Sequence, residues 1–537
     1  MAMGTQNTSV DVVVVGSGAA GLFTALSLAP LSVLLVTKAP ALVSGSTAYA
    51  QGGMAAVMGA DDTPAEHTAN TLFAGAGLVD KAAADVLTHT APAVMRQLMD
   101  LGMVFDKTSD GELSLGREAA HTKRRILHAG GDATGRHLSV ALAACVEKAP
   151  HVQVALAATV WQVLTDENGT AGVLMHQPQA GWARVACRHV VLATGGVGQL
   201  FSHTTNPTTA TADGLRLAWE AGAALEDMEF VQFHPTTLDV AATDGRRPLL
   251  TEALRGEGAH LLDAQGTRFM LDVHPDAELA PRDVVARAVW ARRAQGAQVF
   301  LDARALAAEG LAKKFPTVWA LCAEHGLDPA KDLLPIAPAA HYHMGGVKTD
   351  LLGRTNVAGL WAVGEVARTG LHGANRLASN SLTECLVFGA RAAEAIKVDI
   401  RPFGALPGMQ APVFAPQKEA TPLRAELQQV MYAGLGLVRD GKGMQKALAR
   451  IQALTRAYKA GTHDALTVAA HAELQSLLLA ARLMTEQALK RTESRGGHYR
   501  SDYPKQSASW QTSMTIRKPE EYDHDRTRTR TPATAVL

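Results

Sequence analysis

Cysteine is scarce and scattered in this chain: Cys145, Cys187, Cys322 and Cys385 are the only four in 537 residues. No CxxC pair occurs, so neither a thiolate metal site nor a disulfide framework is expected, and the usage fits a reducing, cytoplasmic compartment. A charge surplus is missing too. The 51 Lys and Arg residues balance 51 Asp and Glu, which removes the electrostatic case for nucleic acid or an anionic membrane as partner. The first ten residues hold no Lys or Arg, so no secretory n-region is expected. Residues 12–37 lack charge altogether, a run long enough to span a membrane. Gly16, Gly18, Gly21 and Pro30 interrupt it and its β-branched residues lie at both ends, so it reads as strand–helix–strand, with no membrane expected.

What the chain does have is a glycine loop at the end of its first strand. Val10 to Val15 is an apolar, β-branched run, followed by Gly16-Ser17-Gly18-Ala19-Ala20-Gly21 and an apolar helix. In such a loop the first glycine makes the tight turn, the second admits a pyrophosphate to the backbone, and the third lets helix and strand pack closely. The helix N-terminus then offers free N–H groups to the phosphates. An NAD site carries an acid at the end of the second strand. Here that strand ends in Lys38, and no Asp or Glu lies between Asp11 and Asp61. FAD is therefore the expected dinucleotide.

The length allows about two to four domains. Residues 63–102 read as helices, with Asp80 as an N-cap. Two more buried strands run into glycine, at 188–196 and at 359–365, so one nucleotide-binding sheet is expected to be assembled from distant segments. That assigns 1–227 and 343–400 to a discontinuous dinucleotide-binding domain and 228–342 to an inserted domain, with the site in the cleft between them. Residues 401–422 are rich in Pro, Gly and Ala and read as a linker. Helical patterns follow at 423–439, 444–458 and 466–491, a small antiparallel bundle over 423–514. Residues 515–537 read as a disordered, solvated tail.

Polar residues of interest gather around the insert: Gln232-Phe233-His234, Thr251-Glu252, Arg255 and Glu257, Arg282-Asp283, His341 and His343, and Asn375-Arg376. Pro281 fits the first turn of a helix that Arg282 would begin, adding the helix's positive end to the arginine's charge. Two arginines with histidines from separate loops suit a small dicarboxylate, because guanidinium binds carboxylate through a fork and imidazole adds a donor. Singly, each has a plainer reading: Arg255 and Glu257 as a salt bridge, His343 as a structural histidine. His341 and His343 have a metal-like spacing, but no acidic or Cys cluster supports a metal.

Together the motifs resemble a family. Gly16-Ser-Gly-Ala-Ala-Gly21, Gly45-Ser46-Thr47-Ala48-Tyr49-Ala50-Gln51-Gly52-Gly53, Arg117-Glu118 with His121 and Arg124-Arg125, Ala133-Thr-Gly-Arg136, His234-Pro-Thr, Leu279-Ala-Pro-Arg282-Asp283, Gly364-Glu365, Gly373-Ala-Asn-Arg376, Ser379-Asn-Ser381-Leu382 and Glu493-Ser-Arg-Gly-Gly-His498 occur in order along nearly the whole chain. They are similar to those of the L-aspartate oxidases, within the superfamily of succinate dehydrogenase and fumarate reductase flavoprotein subunits. The resemblance implies an α/β fold: a Rossmann-like FAD-binding domain, an inserted α+β capping domain and a C-terminal helical bundle. It implies oxidation of L-aspartate to iminoaspartate, the first step of NAD biosynthesis, with electrons passed to O2 or fumarate. A direct hand-over of iminoaspartate to quinolinate synthase is left open.

Carried over by residue, the resemblance assigns FAD contacts to Gly16 through Gly21, Lys38, Ser46 through Gly53, Asp213, Glu365, Ser381 and Leu382. It assigns substrate contacts to Gln232, His234, Thr251, His341, Arg376 and Ser379, proton transfer to Arg282, and the substrate amine to Glu118. The chain departs from the family at Ala119-Ala120, where two glycines are usual, so added methyls are expected to restrict the loop that carries Glu118. The nearest rival is a succinate dehydrogenase or fumarate reductase subunit. Those attach FAD through a histidine whose place is taken here by Ser46, so non-covalent FAD is expected. A non-catalytic flavoprotein scaffold would not need a carboxylate clamp.

Overall fold

The computed structural model describes residues 8–241, 245–408, 412–415, 422–462 and 464–519. Runs of Val and Leu build its central sheet. The strand Thr8–Val15 lies between Val33–Val36 and Gly181–Leu192, all parallel, and Val152–Ala155 adds a further parallel strand beyond Val33–Val36. Val12, Val13 and Val14 are fully buried, as a strand covered on both faces requires. Leu360–Ala362 joins this sheet beside Gly181–Leu192, pairing Leu360 with Val190, so the late return completes the early sheet. The charge-free run 12–37 is the expected strand, helix (Ala19–Ser27) and strand. No helix among the described residues is long and apolar enough to cross a membrane.

The segment between these returns builds its own four-stranded antiparallel sheet, ordered Val231–Leu238, Leu334–His343, Val299–Asp302 and His260–Asp263. The helix Arg282–Ala294 packs on it through Val285 and Val289, and Pro281 is its N-cap. Pro64–Ala74 and Lys81–Asp100 are the helices expected at 63–102, and the Asp80 side chain caps the second by accepting from the amide of Ala82 at 2.9 Å. Leu423–Leu435, Gly441–Lys459 and Val468–Lys490 form the helical region.

The described parts of 401–422 carry no helix or strand and join the helix ending at Val398 to the one starting at Leu423. They also pack: Phe414 stacks on His471 with ring centroids 3.9 Å apart, and Phe403 lies under Arg188. One expectation needs correction: the tail does not begin at 515, because Thr515–Ile516 pairs antiparallel with Leu225–Glu226. Residues 520–537, including the basic Arg526 to Arg530 stretch, lie outside the described residues.

The loop that carries Glu118 hangs from a small sheet of Met54–Ala55, Leu115–Gly116 and Ile126–Leu127. Arg125, fully buried, anchors it. The guanidinium forks onto Asp62 at 2.7 and 2.8 Å and donates to Asn70 Oδ1 at 2.8 Å, and the same oxygen accepts from the amide of Thr122. Breaking a buried pair strands the remaining charge, at a cost of about 3–5 kcal/mol. Arg125→Met is therefore expected to lose about that much stability in urea denaturation; a loss under about 1 kcal/mol would show that Asp62 is not dependent on this partner.

Candidate active site

The first strand ends at Gly16, whose φ of +112° and whose clash with Ala193 O at 2.3 Å, were a Cβ present, leave room for no other residue. A Cβ on Gly21 would sit 1.9 Å from Gly16 O, so helix and loop touch backbone to backbone. Above them runs one continuous cleft. Its walls are the glycine loop, Lys38, the turn at 46–53, Asp213 and Glu365, and it continues to Glu118, His234, Thr251, Arg282, His341, Arg376, Ser379, Ser381 and Leu382. Residues separated by hundreds of positions thus share one cavity.

This cleft suits a dinucleotide. A Cβ at Gly45 or Gly195 would meet nothing within 4 Å, the open space of a cradle, and Gln51 Oε1 is buried with no partner among the described residues. At one wall Lys38 donates to Asp213 and Glu473, each at 2.7 Å.

At the far end the arginines converge. Arg282 Nη1 and Arg376 Nη2 donate to the same oxygen, Gln232 Oε1, at 3.0 and 3.1 Å. The Gln232 amide is oriented by its own donations to Asn375 Oδ1 and Arg376 O. Arg282 Nε donates to Glu252 Oε2, and Arg255 Nη2 approaches the same oxygen at 3.3 Å. Glu252 Oε1 accepts from the amide of Ala119. Arg376 lies 4.6 Å above the Tyr342 ring, whose hydroxyl donates to buried Glu384. Burial and the neighbouring charge of Arg282 bring Arg376 down to about 10.

Two carboxylates share this pocket and behave oppositely. Burial would raise Glu252, but Arg282 and Arg255 outweigh it and hold the group below its ordinary value. Burial and the charge of Glu252 push Glu118 up, against the pull of Arg282 and a hydrogen bond from Ser379. Glu118 Oε2 accepts from Ser379 Oγ at 2.6 Å; Oε1 has no hydrogen-bond partner among the described residues and faces Gly52. His234 and His341, rings 5.1 Å apart, are both driven well below 6.5 by burial and by Arg282. Both shifts favour the neutral imidazole. His234 Nδ1 accepts from the amide of Thr236, so its proton sits on Nε2.

Not every expected contact lies on the cavity wall. Gln232 is buried behind it and braces the two arginines instead of facing a substrate. Ser379 lines it, but its hydroxyl is engaged by Glu118. Gly21 and Ala48 do not line it. Arg255 and Glu257 do not pair: Arg255 turns to Glu252 and Glu257 to Lys314. His343 is packed against Met228 O. Glu118 pairs with neither Arg124 nor Arg125. Ala120 adopts φ +63°, the left-handed region that disfavours a Cβ by about 1–2 kcal/mol, so the expected restriction of this loop is present as backbone strain. The reading of the residues missed Glu252 as the hub, although it stands beside Thr251, and it missed Tyr342 and Thr205, whose hydroxyl meets His341 Nδ1 at 2.8 Å.

Compared with known proteins, residues 11–382 match the family described as FAD binding domain, and residues 424–533 that described as fumarate reductase flavoprotein C-term. An L-aspartate oxidase of Streptomyces coelicolor is 45% identical over 95% of this chain and 91% of its own. One of Mesorhizobium japonicum is 45% identical, covering 93% and 92%. Among solved structures, E. coli quinol fumarate reductase FrdA superposes with a TM-score of 0.87 at 30% identity, covering 94% of this chain and 93% of that one. Mycobacterium smegmatis Sdh1 gives 0.81 at 32%, covering 95% and 94%.

The raised Glu118 has a consequence for stability. A carboxyl whose folded value exceeds its unfolded value stabilises the fold fully below the unfolded value, and that contribution is lost as pH rises through the folded one. Glu118→Gln removes the ionisation. Its melting temperature is expected to match wild type in acid and to exceed it increasingly above pH 4.5, the ordinary glutamate value. A gap that stays constant with pH would mean that Glu118 ionises freely in the folded protein.

Proposed function

The chain belongs to the L-aspartate oxidase family of FAD-binding flavoproteins, and from that premise we propose that it oxidises L-aspartate to iminoaspartate, the first step of NAD biosynthesis. One observation carries the choice of substrate: a carboxylate, Glu118, with a free buried oxygen, shares its cavity with the two arginines. Arg282 and Arg376 attract the two carboxylates of a dicarboxylic acid. Succinate offers nothing cationic for Glu118, whereas L-aspartate adds an ammonium at the carbon to be oxidised.

Bound FAD supplies the acceptor for the hydride that leaves Cα. The residues of this chain do the rest. Arg376 gives a fork to one carboxylate; His234 and His341, neutral, donate to carboxylate oxygens without adding charge. Glu118 draws the ammonium to the cavity wall beside Gly52 and so turns Cα–H toward the cofactor side of the cleft. The electrons go on to O2, giving hydrogen peroxide, or to fumarate, giving succinate. Arg282 is the proposed proton donor in the fumarate reaction. Its Nε donates to Glu252, whose negative charge favours the protonated guanidinium from which a donor must start.

FAD is held without a covalent bond, since Ser46 stands where the linking histidine of the nearest rival would be. The arginine clamp argues against a scaffold role. The proposed compartment is the cytoplasm, supported by four unpaired cysteines, and quinolinate synthase is the proposed recipient of the product.

Under anaerobic conditions L-aspartate should bleach the flavin absorbance and succinate should not, and acid should release yellow flavin from the precipitated protein. Bleaching by succinate alone, or flavin retained in the precipitate, would favour the succinate dehydrogenase reading. Glu118→Gln should lower L-aspartate oxidation by about a hundredfold, the scale of a misaligned Cα–H, with fumarate reduction by a reduced dye changed only slightly. Equal loss of both activities would sink the proposed role of Glu118.

A further inference from the structure

The motif Glu493-Ser-Arg-Gly-Gly-His498 lies outside the cavity, yet it meets every segment that carries the arginine clamp: the backbone of Ala374 and Val231, and the Arg287 side chain on the helix of Arg282. It follows the last long helix, and buried ions stiffen it. Arg491 donates to Glu229 at 2.6 Å and to Glu493 at 3.1 Å, and Arg495 forks onto Glu493 at 2.8 and 3.0 Å. His498 is fully buried, accepting from Arg439 at Nδ1 and facing Arg491 O with Nε2. A buried ionic network of this kind adds little net stability but holds its members in one geometry.

From this frame two glycines project toward the site. Gly497 N donates to Ala374 O at 2.8 Å, two residues before Arg376. A Cβ on Gly497 would lie 2.5 Å from Val231 O, directly before Gln232, and one on Gly496 would lie 2.4 Å from Ala374 O. Gly496 O accepts from Arg287 Nη1 at 3.1 Å. Arg287 is on the helix that Arg282 begins, which also pairs it with Asp283 at 2.9 Å, and it leans over Tyr499. One loop therefore touches the supports of Gln232, Arg376 and Arg282.

We propose that the 493–498 loop sets the spacing of the two carboxylate-binding arginines, with Arg287 and Gly497 as positioning residues. The inference rests on the dicarboxylate reading of the cavity. A helix is rigid over the turn and a half from Arg282 to Arg287, so the hydrogen bond to Gly496 O ties the helix start to the loop. Through Gly497 the same loop fixes the approach of Ala374 and Val231. Losing either tie lets one guanidinium shift against the other while both remain charged and buried.

The test uses the FAD-loaded enzyme and succinate as probe, its binding followed by perturbation of the flavin spectrum, together with KM and kcat for L-aspartate, flavin content and melting temperature. Arg287→Met is expected to weaken succinate binding and raise KM by about tenfold, the scale of a misplacement below 1 Å, with flavin content unchanged. Arg287→Lys, which keeps a donor, should recover most of the loss. Gly497→Ala should show the same pattern as Arg287→Met, and Arg287→Gln serves the comparison if the Met variant does not keep FAD. Variants that melt earlier but bind succinate and L-aspartate as wild type does would reduce the loop to a structural brace and overturn the inference. Wild-type enzyme that fails to bind succinate would instead overturn the dicarboxylate reading, and the two failures appear in different arms.

Discussion

Arg282 and Arg376 carry like charges, are both nearly or wholly buried, and both donate to Gln232 Oε1. Two guanidinium groups confined this way repel one another and have lost their hydration, so each needs an acceptor that cannot move away. Glu252 provides charge for Arg282, the Tyr342 ring provides a π-face for Arg376, and Gln232 holds the pair together without neutralising it. The pocket keeps a surplus of positive character at a buried position. An anionic substrate relieves that surplus, and burial makes the attraction stronger than it would be in water.

The same confinement explains the histidines and the second glutamate. Burial and the field of Arg282 lower the proton affinity of His234 and His341, which favours their neutral form. Glu118 lies beside Glu252, which the arginines have already claimed, and is left with a hydroxyl from Ser379 and a free oxygen. Its affinity for a proton is the mark of a missing cation. The ammonium of L-aspartate has the charge that the site lacks. The amide of Ala119, bonded to Glu252, ties the Glu118 loop to the arginine side of the pocket, next to Ala120 in its left-handed conformation.

Much of this was legible in the residues. The strand–glycine–helix opening, the two late returns to the same sheet, the capped helix at Asp80 and the helix starting at Arg282 all follow from local rules: apolar periodicity, a turn that excludes a Cβ, a proline that marks a helix start, here as its N-cap. The absence of an acid after the second strand correctly set NAD aside in favour of FAD. Composition marked residues 401–422 as a linker but could not report the partners that Phe403 and Phe414 find. The strand at Thr515 was missed because two residues have no periodicity, and only the strand Leu225–Glu226, distant in sequence, gives them a place.

By itself the sequence determined where the cofactor loop lies, which elements form, and which residue types are available for a dicarboxylate, since each of these depends on neighbours within a turn or a strand. The tertiary structure alone decided what those residues do. Gln232 meets Arg376 across 144 positions and became a brace; Ser379 meets Glu118 across 261 and became its hydrogen-bond donor. Glu252 became the hub because Arg255, Arg282 and the amide of Ala119 close around one carboxylate. Charge state and hydrogen-bond partner depend on burial and on which chain segments close around a side chain, and long-range packing decides both.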